Sequence, residues 1–317
     1  MSIVSSIQQH KELIRRVLFL AGLLFVFSLV WKSWEEIRNL LESVKPMLFI
    51  LSILVGLFGT LTVSVFFNRL LAKNGVILSD RLAVKIYLVG QIAKYIPGKI
   101  WGIAYQISHV AGAKAATGVV LANMENMFIV IYMTSLTALI LLSIFVEYFY
   151  TLGIVVLGIA GFLFIYRTGI ILRIVKLLLQ VIGQQNFAPE AGECKKPGYI
   201  EGFVFCLVFC SAYAFSYILM LEAVFDHTYS EAFIYIALLS VAWIGGVLTI
   251  LVPAGMGVRE LIFVAFASQV IPEQSMESVV FIAVVTRFWQ LIQELTIMPL
   301  LFFLRSEKQT LSGSDLN

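Results

Sequence analysis

Apolar residues fall in long blocks broken by short polar stretches, and neither a period of two nor a narrow helical stripe dominates. A helix needs about 20 apolar residues to cross about 30 Å of hydrocarbon. Blocks of that order lie at about 13–31, 47–67, 119–146, 151–166, 202–222, 232–252 and 279–303. A shorter block at 256–271 follows a proline-glycine break, and counting it gives eight spans. Between 170 and 183, Arg173, Lys176 and Gln180 interrupt Ile, Leu and Val, a pattern expected to lie along the membrane surface. The fold class is all-α: a polytopic integral membrane protein with one membrane domain over 1–305 and a short cytoplasmic tail over 306–317.

Two segments depart from ordinary spans. Lys85 to Ile96 reads as a half-length helix that breaks at Pro97-Gly98, and Lys99 to Val110 as a second. Each is roughly 17 Å long at 1.5 Å per residue, so a re-entrant pair over about 85–110 is expected. A second break covers about 252–260, from Val252 and Pro253 through Gly255 and Gly257 to Arg259 and Glu260. Non-helical backbone at membrane depth must be buried in protein or line a wet cavity. The two breaks resemble one another, and interrupted segments in corresponding halves point to a binding site built on an internal inverted repeat.

Composition agrees with the pattern. Hydrophobic residues make up 60% of the 317-residue chain and charged ones 13%, too little polar surface for a soluble fold. Those values also exclude disorder, nucleic-acid binding and a disulfide-stapled secreted domain. The formal charge of +3 says little, but its distribution says more. With the N-terminus in the cytoplasm, inside segments hold Lys11, Arg15, Arg16, Arg69, Lys73, Arg81, Lys85, Arg167, Arg173, Lys176, Lys195, Lys196, Arg305 and Lys308. Outside loops hold only Lys32, Arg38 and Lys45. That asymmetry predicts a multi-pass protein of the cytoplasmic membrane with both termini inside. The basic N-terminal stretch before Val17–Trp31 lacks a small-x-small cleavage site and is expected to remain as the first span.

An intramembrane charge costs about 2.5–3.5 kcal/mol on the insertion scale, so each needs a partner or a task. The candidates are Glu125, Arg259, Glu260, Arg287 and Glu294. Arg287, Gln290 and Glu294 share one helical face, and Glu125 and Glu260 are the expected partners of Arg287. Lys94 and Lys99 flank the first break and could meet an anionic phosphate or simply snorkel to lipid. These groups form either a packing network of ion pairs or a polar cavity for a charged headgroup. Nothing resembles a nucleophile-base arrangement or a nucleotide loop, so no enzyme activity and no cofactor are expected. His10, His109 and His227 are too scattered for a metal site. Cys194, Cys206 and Cys210 lack metal-ligand spacing; the last two suit helix packing. The aromatic residues, 25 Phe and 12 Tyr among them, read as lipid-facing or packing groups.

The run Lys94-Tyr95-Ile96-Pro97-Gly98-Lys99-Ile100-Trp101-Gly102 resembles a signature of the lysylphosphatidylglycerol synthase transmembrane-region family. Val252-Pro253-Ala254-Gly255-Met256-Gly257-Val258-Arg259-Glu260 resembles its second motif, and Glu125 stands where the family has a Glu in its third long span. Asn126 and Ile129 replace a basic and an acidic residue common in the family, so the charge network there is reduced. The resemblance implies a flippase-type domain, without the family's soluble aminoacyl-transfer domain. It would move a phospholipid or a polyprenyl-phosphate-linked sugar between leaflets. It also implies a headgroup site formed by Lys94, Tyr95, Pro97, Gly98, Lys99, Glu125, Pro253, Gly255, Gly257, Arg259 and Glu260, to which the intramembrane charge pattern adds Arg287, Gln290 and Glu294. Expected partners are membrane lipids, with an envelope glycosyltransferase or a second copy of the chain as further possibilities. The alternative is a non-transporting scaffold for envelope glycosyltransferases.

Overall fold

The computed structural model describes residues 44–93, 101–143, 199–224, 229–249, 257–271 and 274–303, with isolated positions at 31, 38, 154, 155, 157, 158, 161 and 255. These residues form eight helices: α1 Pro46–Lys73, α2 Asp80–Ala93, α3 Trp101–Ile107, α4 Gly112–Ser143, α5 Tyr199–Val224, α6 Tyr229–Leu248, α7 Val258–Val270 and α8 Met276–Phe303. Five of them, α1, α4, α5, α6 and α8, are long and apolar enough to cross a bilayer. The chain is a polytopic, all-helical membrane protein.

The eight-span expectation needs correction at one place. The block at 256–271 is the 13-residue helix α7, only about 20 Å long at 1.5 Å per residue and too short to cross alone. The spans expected at 13–31 and 151–166, and the surface segment at 170–183, lie outside the described residues.

Helix α1 shows how such a sequence folds. Pro46 opens it, where its missing N–H costs nothing, and Lys73 stands in its last turn, where a cation complements the helix dipole. Leu51, Leu54 and Phe58 are exposed on one side, as lipid-facing residues are, whereas Ser52, Gly59 and Val63 are buried. Thr60 returns its hydroxyl to the Gly56 carbonyl at 3.1 Å, satisfying a donor that hydrocarbon could not. Gly59 brings α1 close to Ala212 of α5, the small-on-small contact that lets membrane helices approach.

Ion pairs at both ends fix α1 and α5 as antiparallel. The Lys45 amide donates to the Ala223 carbonyl at 2.8 Å, and Lys45 Nζ lies 3.7 Å from Glu222. At the other end Arg69 Nε lies 3.1 Å from Glu201. Gln274, just before α8, donates to Glu231 near the start of α6 at 2.9 Å. Positions 45, 222, 231 and 274 therefore share one end of the bundle, and 69 and 201 share the other.

Two apolar clusters fill the bundle at different depths. One gathers the Lys45 half, including Tyr217, Leu221, Tyr235, Phe263, Phe281 and Trp289. The second gathers the Lys73 half, including Phe67, Leu71, Ile86, Leu88, Leu121 and Ile297.

Both short segments dock through paired glycines. A Cβ on Gly102 of α3 would lie 2.9 Å from the Gly90 carbonyl oxygen, so α2 and α3 meet backbone to backbone. Gln106 ties this hairpin down, donating to the Ile86 carbonyl at 3.4 Å and accepting from Asn123 of α4 at 2.6 Å. In the stretch expected to hold two half-length helices, the described residues form the 14-residue α2, which starts at Asp80, and the 7-residue α3; the break expected at Pro97-Gly98 lies outside the described residues. At the second break, a Cβ on Gly255 would lie 2.8 Å from Gly246 Cα of α6.

Candidate functional site

The second break is assembled by its glycines. Gly255 has φ +66° and Gly257 φ +80°, in the left-handed region that side-chain-bearing residues seldom adopt. Gly257 caps α7, and its amide donates to Glu260 Oε2 at 2.7 Å, so the carboxylate closes its own helix N-terminus. The other oxygen, Oε1, lies 3.6 Å from Arg287 Nε of α8. Both side chains are nearly buried, at 6% and 10% exposure, so each charge depends on the other. Of the two expected partners of Arg287, Glu260 is the one that meets it.

Glu125 does something else. It is 2% exposed and accepts from Lys73 Nζ at 3.1 Å and from Asn74 Nδ2 at 3.2 Å. Asn74 is also the cap of α1, its side chain donating to the Leu70 carbonyl at 2.9 Å. Gly118, two turns before Glu125 on the same face, lets α4 close on Asn74; a Cβ there would lie 2.5 Å from the Asn74 carbonyl oxygen. Glu125 therefore joins α1 to α4 at the Lys73 end and takes no part in the Arg287 pair.

Between the two apolar clusters lies a cavity of about 170 Å³. Its wall includes Gly59 and Thr60 of α1, Gln91 of α2, Thr134 of α4, Tyr213 and Tyr217 of α5, Trp243 of α6, Arg259 of α7, and Gln290 and Glu294 of α8. Gly59 and Gln290 stand near the midpoints of 28-residue helices, and Tyr213 near that of a 26-residue one. The cavity is thus at mid-depth. A smaller void beside it touches Arg259, Glu260, Arg287 and Gln290, bringing the second break and the α8 face together.

Arg259 is the distinctive member. Gly246 leaves room for its stem, since a Cβ there would collide with Arg259 Cγ. Although it adjoins Glu260 in sequence, neighbours on a helix do not face each other, and the carboxylate turns to Arg287 instead. Among the described residues no carboxylate lies within 4.0 Å of the Arg259 guanidinium. Glu294 stands on the same cavity wall, as the shared face of α8 predicted.

Of the expected headgroup residues, the structure gathers Gly255, Gly257, Arg259, Glu260, Arg287, Gln290 and Glu294 and sets Glu125 apart. Lys94, Tyr95, Pro97, Gly98, Lys99 and Pro253 lie outside the described residues. Aromatic residues, Tyr213, Tyr217, Trp243 and Trp289, also stand on the cavity wall. Trp289 donates to Ser52 Oγ at 2.8 Å and meets Tyr217 edge-on at 4.7 Å, and Gln290 donates to the Tyr217 hydroxyl at 2.7 Å. Cys206 and Cys210 are both free on α5, as packing residues would be.

No family model matches the chain, and no curated protein matches it.

Proposed function

We propose that the chain is a flippase-type transporter of the cytoplasmic membrane that receives a charged or glycosylated lipid headgroup at mid-depth and passes it between leaflets. The observation that carries this reading is Arg259: a cation on the wall of a mid-membrane cavity, with no carboxylate among the described residues neutralising it. A phosphate supplies the missing anion, and a guanidinium holds it by two parallel hydrogen bonds.

Glu260 and Arg287 brace that wall, and Gln290 and Glu294 complete it. The glycine-on-glycine docking at both short segments favours an internal repeat with the site near its interface. The two motif resemblances point the same way and rest on those residues alone. The positive-inside asymmetry makes the Lys73 end cytoplasmic, with both termini on that side. The reading requires no bond-making chemistry and no cofactor; its partners are the lipids themselves.

The test is lipid movement in proteoliposomes, followed with labelled phospholipids and polyprenyl-phosphate sugars. Wild-type protein should accelerate exchange between leaflets, and Arg259→Gln should not. Acceleration by neither protein across both lipid classes would refute transport and favour a scaffold for envelope glycosyltransferases.

A further inference from the structure

Beyond a bare phosphate site, the proportions of the cavity wall carry information. Arg259 and Glu294 are its charged side chains, yet beside them stand three carboxamides, Gln91, Gln290 and Gln293. The Gln293 amide nitrogen is buried without a hydrogen-bond partner among the described residues, tucked against Gly56, where any Cβ would collide with it. A buried donor left in this state costs free energy until an acceptor arrives. Gln290 spends one N–H on Tyr217 and retains a second donor and a carbonyl. Trp243 is half-buried on the same wall.

A phosphate on a short alcohol would use Arg259 and part of the amide set and leave the indole face without a role. An acyl chain would meet amides it cannot satisfy. A polyhydroxylated ring uses both sets: its hydroxyls pair with carboxamides, and its C–H face rests on the electron-rich face of an aromatic ring. At about 170 Å³ the cavity is large enough to admit a ring.

We propose that this cavity takes a polyhydroxylated ring, a sugar or cyclic polyol, joined through phosphate to a lipid. The phosphate sits on Arg259, the ring hydroxyls on Gln290 and Gln293, and the ring face on Trp243. This assignment rests on the headgroup reading above and narrows its cargo.

The experiment is equilibrium binding to the purified full chain in detergent, with three probes: a polyprenyl-phosphate hexose, phosphatidylglycerol, and soluble hexose 1-phosphate. The hexose lipid should bind at least about tenfold tighter than each of the other two, because they lose either the ring or the tail. Trp243→Ala and Gln293→Leu should abolish the preference over phosphatidylglycerol, and Trp243→Phe, which keeps an aromatic face, should retain most of it. Phosphatidylglycerol binding as tightly as the hexose lipid overturns the ring assignment and leaves the headgroup reading standing. Equal affinity for hexose 1-phosphate keeps the ring and phosphate but removes the lipid. Binding of none of the three overturns both proposals.

Discussion

Glu260 Oε1 lies 3.6 Å from Arg287 Nε, joining the N-terminus of α7 to the middle of α8. The same carboxylate holds the Gly257 amide, so one side chain closes a helix end and neutralises a buried cation. Removing one partner of such a pair typically costs about 3–5 kcal/mol, whereas removing both is often nearly neutral. Glu260→Gln should therefore lower the thermal unfolding temperature in detergent sharply, and Glu260→Gln with Arg287→Leu should recover most of it. A double variant no more stable than the single one would show that the pair is not the brace.

Arg259 should behave in the opposite way. It has no carboxylate within 4.0 Å among the described residues, so Arg259→Gln strands no partner and should leave the unfolding temperature nearly unchanged. Lipid movement should fall by at least about tenfold, the equivalent of one lost charge-assisted hydrogen bond. Unimpaired exchange by stable Arg259→Gln protein would detach the residue from transport.

Gly255 and Gly75 separate two costs that glycine can hide. Both have positive φ, but Gly75 has open space around its missing Cβ and Gly255 is pressed on Gly246. Gly75→Ala should cost only the backbone strain, about 1–2 kcal/mol. Gly255→Ala adds a collision with backbone that cannot move aside cheaply, and should cost about 1–3 kcal/mol more. Equal losses in chemical unfolding would mean that the α6 contact contributes nothing.

Lys73→Ala should destabilise the Lys73 end, because Glu125 is almost wholly buried and would lose its ion-pair partner. Glu125→Gln in the same chain removes the stranded charge and keeps an amide for Asn74. The expected result is a drop in unfolding temperature for Lys73→Ala that Glu125→Gln largely reverses. A drop of the same size in the double variant would argue against the pair.

Sidedness can be checked with single cysteines in a cysteine-free background. Positions 45 and 274 should label with an impermeant reagent from outside intact cells, and position 201 only after permeabilisation. Labelling of 201 and 45 from the same side would contradict the antiparallel α1–α5 pair.

What the sequence revealed, and what it concealed, follows from how specific each residue's cost is. Spans such as 279–303 were legible because hydrocarbon demands length and apolarity, and the Glu260–Arg287 pair because buried charges demand neutralisation. Lys73 satisfies the positive-inside pattern whether or not it reaches back to a carboxylate, so its pair with Glu125 leaves no mark in the sequence. Glu125 is therefore expected beside Arg287, whereas it meets Lys73. Trp243, Tyr213 and Trp289 could not be told from the many aromatics that merely face lipid, because ring chemistry is the same in both settings. A spacing clue existed in Gln290 and Gln293, three apart on α8, which with Trp289 mark a face too polar for lipid.

The cavity's position between two apolar layers also sets a rule for motion. In the transport we propose, each layer would act as a door to the chamber between them. With the two doors open together, water and ions would run through beside Arg259 and discharge the membrane. With both shut, no headgroup could enter. Transport of this kind would require an airlock, one layer parting only while the other holds, with its fastest safe rate set by the slower door.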